Sequence, residues 1–263
     1  MNGSEAVIAG VIQGIFEWLP VSSEAQTMLY MLNVLNLDPQ TALSYAFYLH
    51  FGTMLAVLIK YRDEFFSVLM SPLSELKLSS VIFYGTLFTA FSAIPLYLLL
   101  RNLSTFVNPV LFTMIIGFML VLTGILMKIA DSKGDKDIND ISNRDIILTG
   151  IAQGFAVIPG ISRSGITVTA LLIRKVNQET ALMVSFLLSV PATAGILFID
   201  FNSISRIPLQ SMVILSASSL FFGYISMDLL LKIAVKVSFW KFCLLFGLVT
   251  IIFTFLYYFL NIL

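Results

Sequence analysis

Six uninterrupted apolar runs dominate the pattern of hydrophobic and polar residues along the chain. They cover residues 41–59, 80–100, 109–127, 179–199, 208–231 and 242–260. A helix needs about 20 apolar residues to cross the hydrocarbon core of a bilayer, and each run is long enough. The pattern therefore predicts six membrane-spanning helices.

Two further apolar stretches, 6–35 and 146–176, are interrupted in the middle. The interruptions read LPVSSE at 19–24 and IPGISRSG at 158–165. Proline and glycine end helices and serine starts them, and each half has about 13 residues, too few to cross a bilayer. We interpret each stretch as a re-entrant helical hairpin that enters and leaves the membrane by one face.

The two interrupted stretches resemble each other. GVIQGIFEWLP (10–20) aligns with GIAQGFAVIP (150–159), and QTALSYAFYL (40–49) aligns with ETALMVSFLL (179–188) at five positions in ten. Such similarity indicates an internal duplication. Each copy would contain one hairpin and three spans, and because three is odd, the second copy would be inverted.

The predicted fold is therefore an all-α integral membrane protein built as an inverted repeat, with six transmembrane helices and two re-entrant helical hairpins. Its parts are a first repeat at 1–130, a linker at 131–145 and a second repeat at 146–263.

The distribution of lysine and arginine predicts the orientation in the membrane. Loops on one predicted face hold twelve of these residues, and the other face holds only Arg101 and Arg206. Basic residues accumulate on the cytoplasmic side. We therefore expect a multi-pass plasma-membrane protein with a cytoplasmic linker and with both termini outside.

Composition narrows the class of protein. Apolar residues make up 58% and charged residues 11% of the chain, whereas soluble domains have about 25% charged residues. The net charge is zero, so the chain lacks the excess of basic residues that nucleic-acid binding would require. The single cysteine, Cys243, excludes an intrachain disulfide, and the N-terminus lacks the basic segment of a cleaved signal peptide.

Polar residues would form one cluster if the tips of the two hairpins met inside the membrane. The members would be Gln13, Glu17, Ser22, Ser23, Glu24, Gln26, Gln153, Ser162, Arg163, Ser164 and Thr167, with His50 at the middle of its span. Serine and glutamine often only join helices in membranes. A charge such as Arg163 costs about 2.5–3.5 kcal/mol to insert and is usually functional, although a structural Glu17–Arg163 salt bridge remains an alternative.

The second tip has the chemistry of an anion site. Ser162, Arg163 and Ser164 follow a Pro-Gly turn and begin a helix, so free backbone N–H groups, hydroxyls and a guanidinium would surround one ligand. The first tip would offer a second helix start, with Glu17 as base or metal ligand. This combination suits phosphoryl transfer.

At these motifs the chain resembles a known family. QGIFEWLPVSS and PGISRSGIT are similar to the two signature motifs of the BacA-type undecaprenyl-diphosphate phosphatases, and motif order and spacing agree along the whole chain. That family comprises membrane enzymes that dephosphorylate the polyprenyl carrier lipid of cell-envelope glycan synthesis. The resemblance implies six spans, two re-entrant hairpins, a site that opens outward and often a homodimer.

The resemblance also implies residue roles. Glu17 matches an essential glutamate, Ser23 a nucleophilic or substrate-binding serine, and Arg163 an essential arginine, while Gln13 occupies a position filled by glutamate or glutamine. From the chemistry of the two tips, apart from the resemblance, we also expect substrate to be bound by Ser22, Gln26, Ser162, Ser164 and Thr167.

Four positions depart from the family pattern. The first motif usually continues as SSTGH, but here it reads SSEAQ, with Glu24 for threonine, Ala25 for glycine and Gln26 for histidine. His50 stands where the family usually has glutamine. Because an imidazole exchanges protons near neutral pH, we hypothesise that His50 compensates for the missing motif histidine.

A charge count predicts a cofactor. A diphosphate and Glu17 bring more negative charge than Arg163 and two helix ends can balance. The deficit suggests Mg²⁺ or Ca²⁺, held by Glu17 and Glu24, and the family resemblance implies the same. The leading hypothesis is hydrolysis of a polyprenyl diphosphate to the monophosphate and inorganic phosphate; the alternative is a transporter or flippase of a phosphorylated lipid or small anion.

Overall fold

The computed structural model describes residues 1–70, 77–104, 107–130, 134–234 and 239–260. Within these ranges the chain is helical and forms no β-strand. The helices are α1 (Gly3–Phe16), α2 (Ser23–Asn33), α3 (Pro39–Lys60), α4 (Arg62–Met70), α5 (Lys77–Ser104), α6 (Pro109–Ile129), α7 (Asn143–Gly154), α8 (Arg163–Ile173), α9 (Gln178–Ile199), α10 (Phe201–Ile204), α11 (Leu209–Ala234) and α12 (Phe239–Leu260). Residues 131–133 of the predicted linker, and Lys236 from the charge count, lie outside the described residues.

Six of these helices confirm the prediction from the apolar runs. Helices α3, α5, α6, α9, α11 and α12 are long and apolar enough to cross a membrane. Two of them begin at a proline that follows an N-cap side chain: the carboxylate of Asp38 precedes Pro39, and the amide oxygen of Asn108 precedes Pro109. Proline at the first helical position lacks an N–H that would be unpaired there anyway, so both starts are sharply defined.

The two interrupted stretches fold as pairs of short helices. Helices α1 and α2 have 14 and 11 residues, and α7 and α8 have 12 and 11. Ser22 and Ser162 cap the second helix of each pair by accepting from the N–H groups of Ala25 and Gly165. The second break also needs Gly160, whose φ of 99° and close approach to α6 exclude a side chain.

Close backbone packing fixes the first helix of each pair. Helix α1 lies along α11, where a Cβ on Gly14 would come within 2.6 Å of the Gly223 nitrogen. Helix α7 lies along α5 in the same way, and a Cβ on Gly154 would lie 1.9 Å from Ser92 Oγ. Small residues at both contacts let the helix backbones approach. The first helix of each pair is thereby packed against a long helix of the other predicted repeat.

The described part of the linker is tied to the start of α9. The Lys136 N–H donates to the Lys175 carbonyl over 3.0 Å, and the Asn177 N–H donates to the Lys136 carbonyl over 2.9 Å. Beside this contact, Asp145 is fully buried and accepts from Arg174. Burial raises the pKa of Asp145, but the hydrogen bonds that its carboxylate accepts from Arg174 and Ser142 have the larger combined effect and lower the pKa to about 2.

Candidate active site

Glu17 lies at the C-terminal end of α1 and is the centre of a buried polar cluster. Its Oε1 accepts a hydrogen bond from Nη2 of Arg163, the first residue of α8. Its Oε2 accepts from Ser23 Oγ over 2.6 Å and from Gln13 Nε2 over 2.8 Å. The Gln13 contact follows from the i, i+4 spacing on one helix face. The structure thus places residues from both interruptions on one carboxylate.

Arg163 is held from both sides. Its Nη2 donates to Glu17, and its Nη1 donates to the main-chain carbonyl of Ser185 in α9 over 2.9 Å. The guanidinium is therefore fixed in its plane before any ligand arrives. Ser185 is a residue that the sequence reasoning missed, because a backbone carbonyl leaves no signal in the residue pattern.

His50 faces the same carboxylate. Its Nδ1 lies 2.8 Å from the Ala46 carbonyl, which can only accept, so Nδ1 is assigned as the protonated nitrogen. Its Nε2 then points to Glu17 Oε2 at 3.5 Å. His50 is thus placed to exchange a proton with Glu17.

Ser23 and Ser22 begin α2 at the edge of this cluster. Ser22 is held in the left-handed region, with φ of 57°, a strained conformation for a residue other than glycine. The turn allows Ser22 to cap α2 and directs Ser23 Oγ to Glu17. A hydroxyl donating to a carboxylate over 2.6 Å is the arrangement of a nucleophile and its base.

A small polar cavity of about 20 Å³ lies between the two tips. This is room for about one water molecule or a small ion. Its polar lining consists of two carboxylates, four serines, an imidazole and a guanidinium: Glu17, Glu24, Ser22, Ser23, Ser162, Ser164, His50 and Arg163. Oxygen ligands predominate among them.

A larger and mostly apolar cavity of about 170 Å³ adjoins the first. Helices α5 and α9 form most of its wall, and Gly195 faces open space there, since a Cβ on it would meet no atom within 4 Å. Glu24, His50, Ala156 and Arg163 line both cavities. The polar lining of the small cavity is therefore continuous with the apolar wall of the larger one, which is the arrangement that a ligand with a charged head and an apolar tail requires.

Glu24 is buried, and its Oε1 has no hydrogen-bond partner among the residues that the structure describes. With Glu17 and the serines of the small cavity it supplies the hard oxygen donors that Mg²⁺ and Ca²⁺ prefer. Across the described ranges no three histidine, cysteine or acidic side chains lie together as a ready metal site. The donors present fit a cation that keeps water or substrate oxygens in part of its shell.

Three of the predicted binding residues line neither cavity. Gln26 Nε2 donates to the Val21 carbonyl over 3.3 Å, and Thr167 Oγ1 donates to the Arg163 carbonyl. The side chain of Gln13 is buried against Glu17. These three side chains are used in contacts within the tips and line neither cavity. Their contact with substrate stays a prediction.

Comparison with known proteins assigns the chain to a family. The family model described as bacitracin resistance protein BacA matches residues 6–252. A protein of Methanothrix thermoacetophila named undecaprenyl-diphosphatase is 43% identical over 97% of this chain and 98% of its own length. Proteins of the same name from Methanopyrus kandleri and Haloarcula marismortui are each 36% identical, over 92% of this chain and 92% and 93% of their own lengths. The extent of these matches and the two motifs in the cluster lead to one conclusion: the chain belongs to the BacA family.

Proposed function

We propose that this protein is an undecaprenyl-diphosphatase, which hydrolyses a polyprenyl diphosphate to the monophosphate and inorganic phosphate and so recycles the carrier lipid. The observation that carries the proposal is the contact of Ser23 and Arg163 with the single carboxylate of Glu17. This cluster borders a polar cavity that continues into an apolar one. The name of the relatives supports the same activity.

The first chemical step uses Ser23 as nucleophile. Glu17 takes the proton from Ser23 Oγ while Oγ forms a bond to the terminal phosphorus, and the bond from that phosphorus to the bridging oxygen breaks. The polyprenyl monophosphate leaves with the electron pair of that bond. Water then attacks the phosphoserine and gives a proton to His50, while the bond from phosphorus to Ser23 Oγ breaks. The proton that Glu17 holds returns to Oγ, which releases inorganic phosphate and restores Ser23.

Arg163 and the two helix starts stabilise the charge that develops on the phosphoryl oxygens. Arg163 is paired with Glu17, and we expect its guanidinium also to bind phosphate oxygens in a two-point contact. The helix starts of α2 and α8, capped by Ser22 and Ser162, line the small cavity, and the positive ends of their helix dipoles would add to this stabilisation.

A divalent cation, Mg²⁺ or Ca²⁺, completes the charge balance. The unpartnered Oε1 of Glu24 and the carboxylate of Glu17 would hold it. When bound, such an ion polarises the phosphoryl oxygens. Binding is tested apart from activity by the rise in melting temperature on adding Mg²⁺, which Glu24→Gln is expected to reduce.

The larger cavity is proposed to take the start of the prenyl tail. Its wall combines aromatic and aliphatic groups of α5 and α9 with small residues such as Ala93 and Gly195. Such a wall gains free energy from burying hydrocarbon and leaves the diphosphate at the polar end.

The finer points of the fold form part of the proposal. The reciprocal packing of α1 on α11 and of α7 on α5 supports an inverted repeat with two re-entrant hairpins. The excess of basic residues on one face supports a cytoplasmic linker and outer termini. The family resemblance supports a homodimer in the plasma membrane.

Phosphate release by the purified protein from undecaprenyl diphosphate tests the proposal. We expect Ser23→Ala to abolish release, and we expect Ser189→Ala to leave it unchanged, because Ser189 is a buried serine that donates only to a carbonyl of its own helix. Transport without hydrolysis, the alternative from the sequence, would give substrate movement across sealed vesicles with no released phosphate. That result would refute the proposed activity.

A further inference from the structure

Trp18 directly follows Glu17 and is fully buried. Its Nε1–H donates to the Gly223 carbonyl over 2.8 Å and lies 3.1 Å from Ser226 Oγ, both in α11. A buried indole satisfies its only donor in this way. The residue next to Glu17 is therefore anchored to a membrane-spanning helix.

The other side of the Trp18 ring contacts Phe186. The ring centroids lie 5.4 Å apart at an interplanar angle of 84°, which is the edge-to-face geometry that aromatic pairs favour. Phe186 is fully buried and directly follows Ser185 in α9. The Ser185 carbonyl accepts from Arg163 Nη1.

Each ring is therefore covalently adjacent to one of the two groups that hold Arg163. Trp18 adjoins Glu17, which accepts from Nη2, and Phe186 adjoins Ser185, which accepts from Nη1. The two acceptors come from different helices, and the ring contact joins those helices beside the guanidinium.

We propose that the Trp18–Phe186 contact is a brace that sets the separation of the two acceptors and thereby the position of Arg163. The inference rests on the proposed function, because it assigns these rings as positioning residues for the same reaction. A displacement of about 1 Å at a reacting group can slow catalysis about 10²-fold. Loosening the brace should therefore lower kcat and leave KM nearly unchanged.

The test compares kcat per folded protein in Trp18→Leu, Phe186→Leu and the double variant. We expect each single variant to lose about 10²-fold in kcat, with KM within about threefold. The double variant should be no slower than the slower single variant, because both substitutions remove the same contact.

Tyr61→Leu is the matched control. Tyr61 contacts Phe186 at a centroid distance of 6.4 Å, and among the described residues it makes no hydrogen bond to Glu17. We expect the melting temperature of Tyr61→Leu to fall as it does in Trp18→Leu and Phe186→Leu. Its kcat should stay within about threefold of the wild type, because loss of core packing alone does not displace a reacting group. Equal losses of kcat in Tyr61→Leu, losses that add in the double variant, or an unchanged kcat in Trp18→Leu would each overturn the proposal.

A second measurement is independent of activity. The chain has two tryptophans, so Trp240→Phe leaves Trp18 as the only source of tryptophan emission. Inorganic diphosphate bound at Arg163 should change this emission, and adding Phe186→Leu should remove the change. If the wild type released no phosphate, the proposed function would be wrong, but the emission measurement would still test whether the Trp18–Phe186 contact responds to diphosphate binding. Identical emission changes with and without Phe186→Leu would refute the proposed brace.

Discussion

Replacing His50 by glutamine tests the main departure of this chain from its family's motif. The His50 ring is oriented by the Ala46 carbonyl, and its other nitrogen lies 3.5 Å from Glu17 Oε2. Glutamine has similar length and can keep a hydrogen bond, but it cannot take up or release a proton. The substitution therefore removes proton exchange with little change in packing.

The structure also sets the expected size of the effect. General acid–base groups contribute about 10²–10⁴-fold, and the most effective ones lie within about 3.2 Å of their partner. Because the His50–Glu17 distance is longer, we expect the lower end of this range for His50→Gln. This is a loss of about 10² in kcat, or about 2.7 kcal/mol in the activation free energy.

The assay is phosphate release as a function of pH, with folded yield measured in parallel. A proton-transfer role predicts that His50→Gln changes the pH profile of kcat, whereas a packing role does not. Tyr48→Phe is the control, since it removes a buried hydroxyl contact to Ser216 from the same helix, away from Glu17. Full kcat and an unchanged profile in His50→Gln would refute the proton-transfer role and leave Glu17 as the only candidate base.

Three further predictions follow from other parts of the molecule. Gly195→Leu fills the apolar cavity and should raise KM for undecaprenyl diphosphate about tenfold, with little effect on KM for a short-chain diphosphate. The exposed Phe198 lines neither cavity, so Phe198→Leu should change neither KM; equal effects of Gly195→Leu on both substrates would contradict the tail site. Asp145 has a folded pKa of about 2 against an ordinary value of 3.8, so it contributes about 2 kcal/mol to the free energy of unfolding. This contribution is present above pH 3.8 and is lost as pH falls through about 2. The fall in melting temperature over that window should shrink in Asp145→Asn, and an equal fall in both proteins would show that another group is responsible. In a cysteine-free background, a cysteine at Asn139 should be protected in intact cells from an impermeant thiol reagent while one at Asn202 reacts; the reverse would overturn the orientation.

The sequence predicted the features that depend on local pattern. The six spans follow from hydrophobic length alone, and the helix starts at Ser22 and Ser162 follow from N-cap chemistry. The cluster around Glu17 and Arg163 was also predicted, because a charge inside a membrane needs a partner.

Features that depend on packing between distant segments could not be predicted. The carbonyl of Ser185 binds Arg163 through its main chain, which every residue has. The direction of Gln26, towards Val21 and away from the cavities, depends on the strained turn at Ser22. Gly195 lines the apolar cavity only because α5 and α9 leave a gap at this position.

Phosphate release from undecaprenyl diphosphate by the wild type and by Arg163→Lys, measured side by side, tests the central claim most directly. Lysine keeps the charge but loses the planar guanidinium that contacts Glu17 and the Ser185 carbonyl together. The account predicts steady phosphate release by the wild type and a rate at least about 10²-fold lower in Arg163→Lys. No release by the folded wild type, or equal rates in the two proteins, would contradict it.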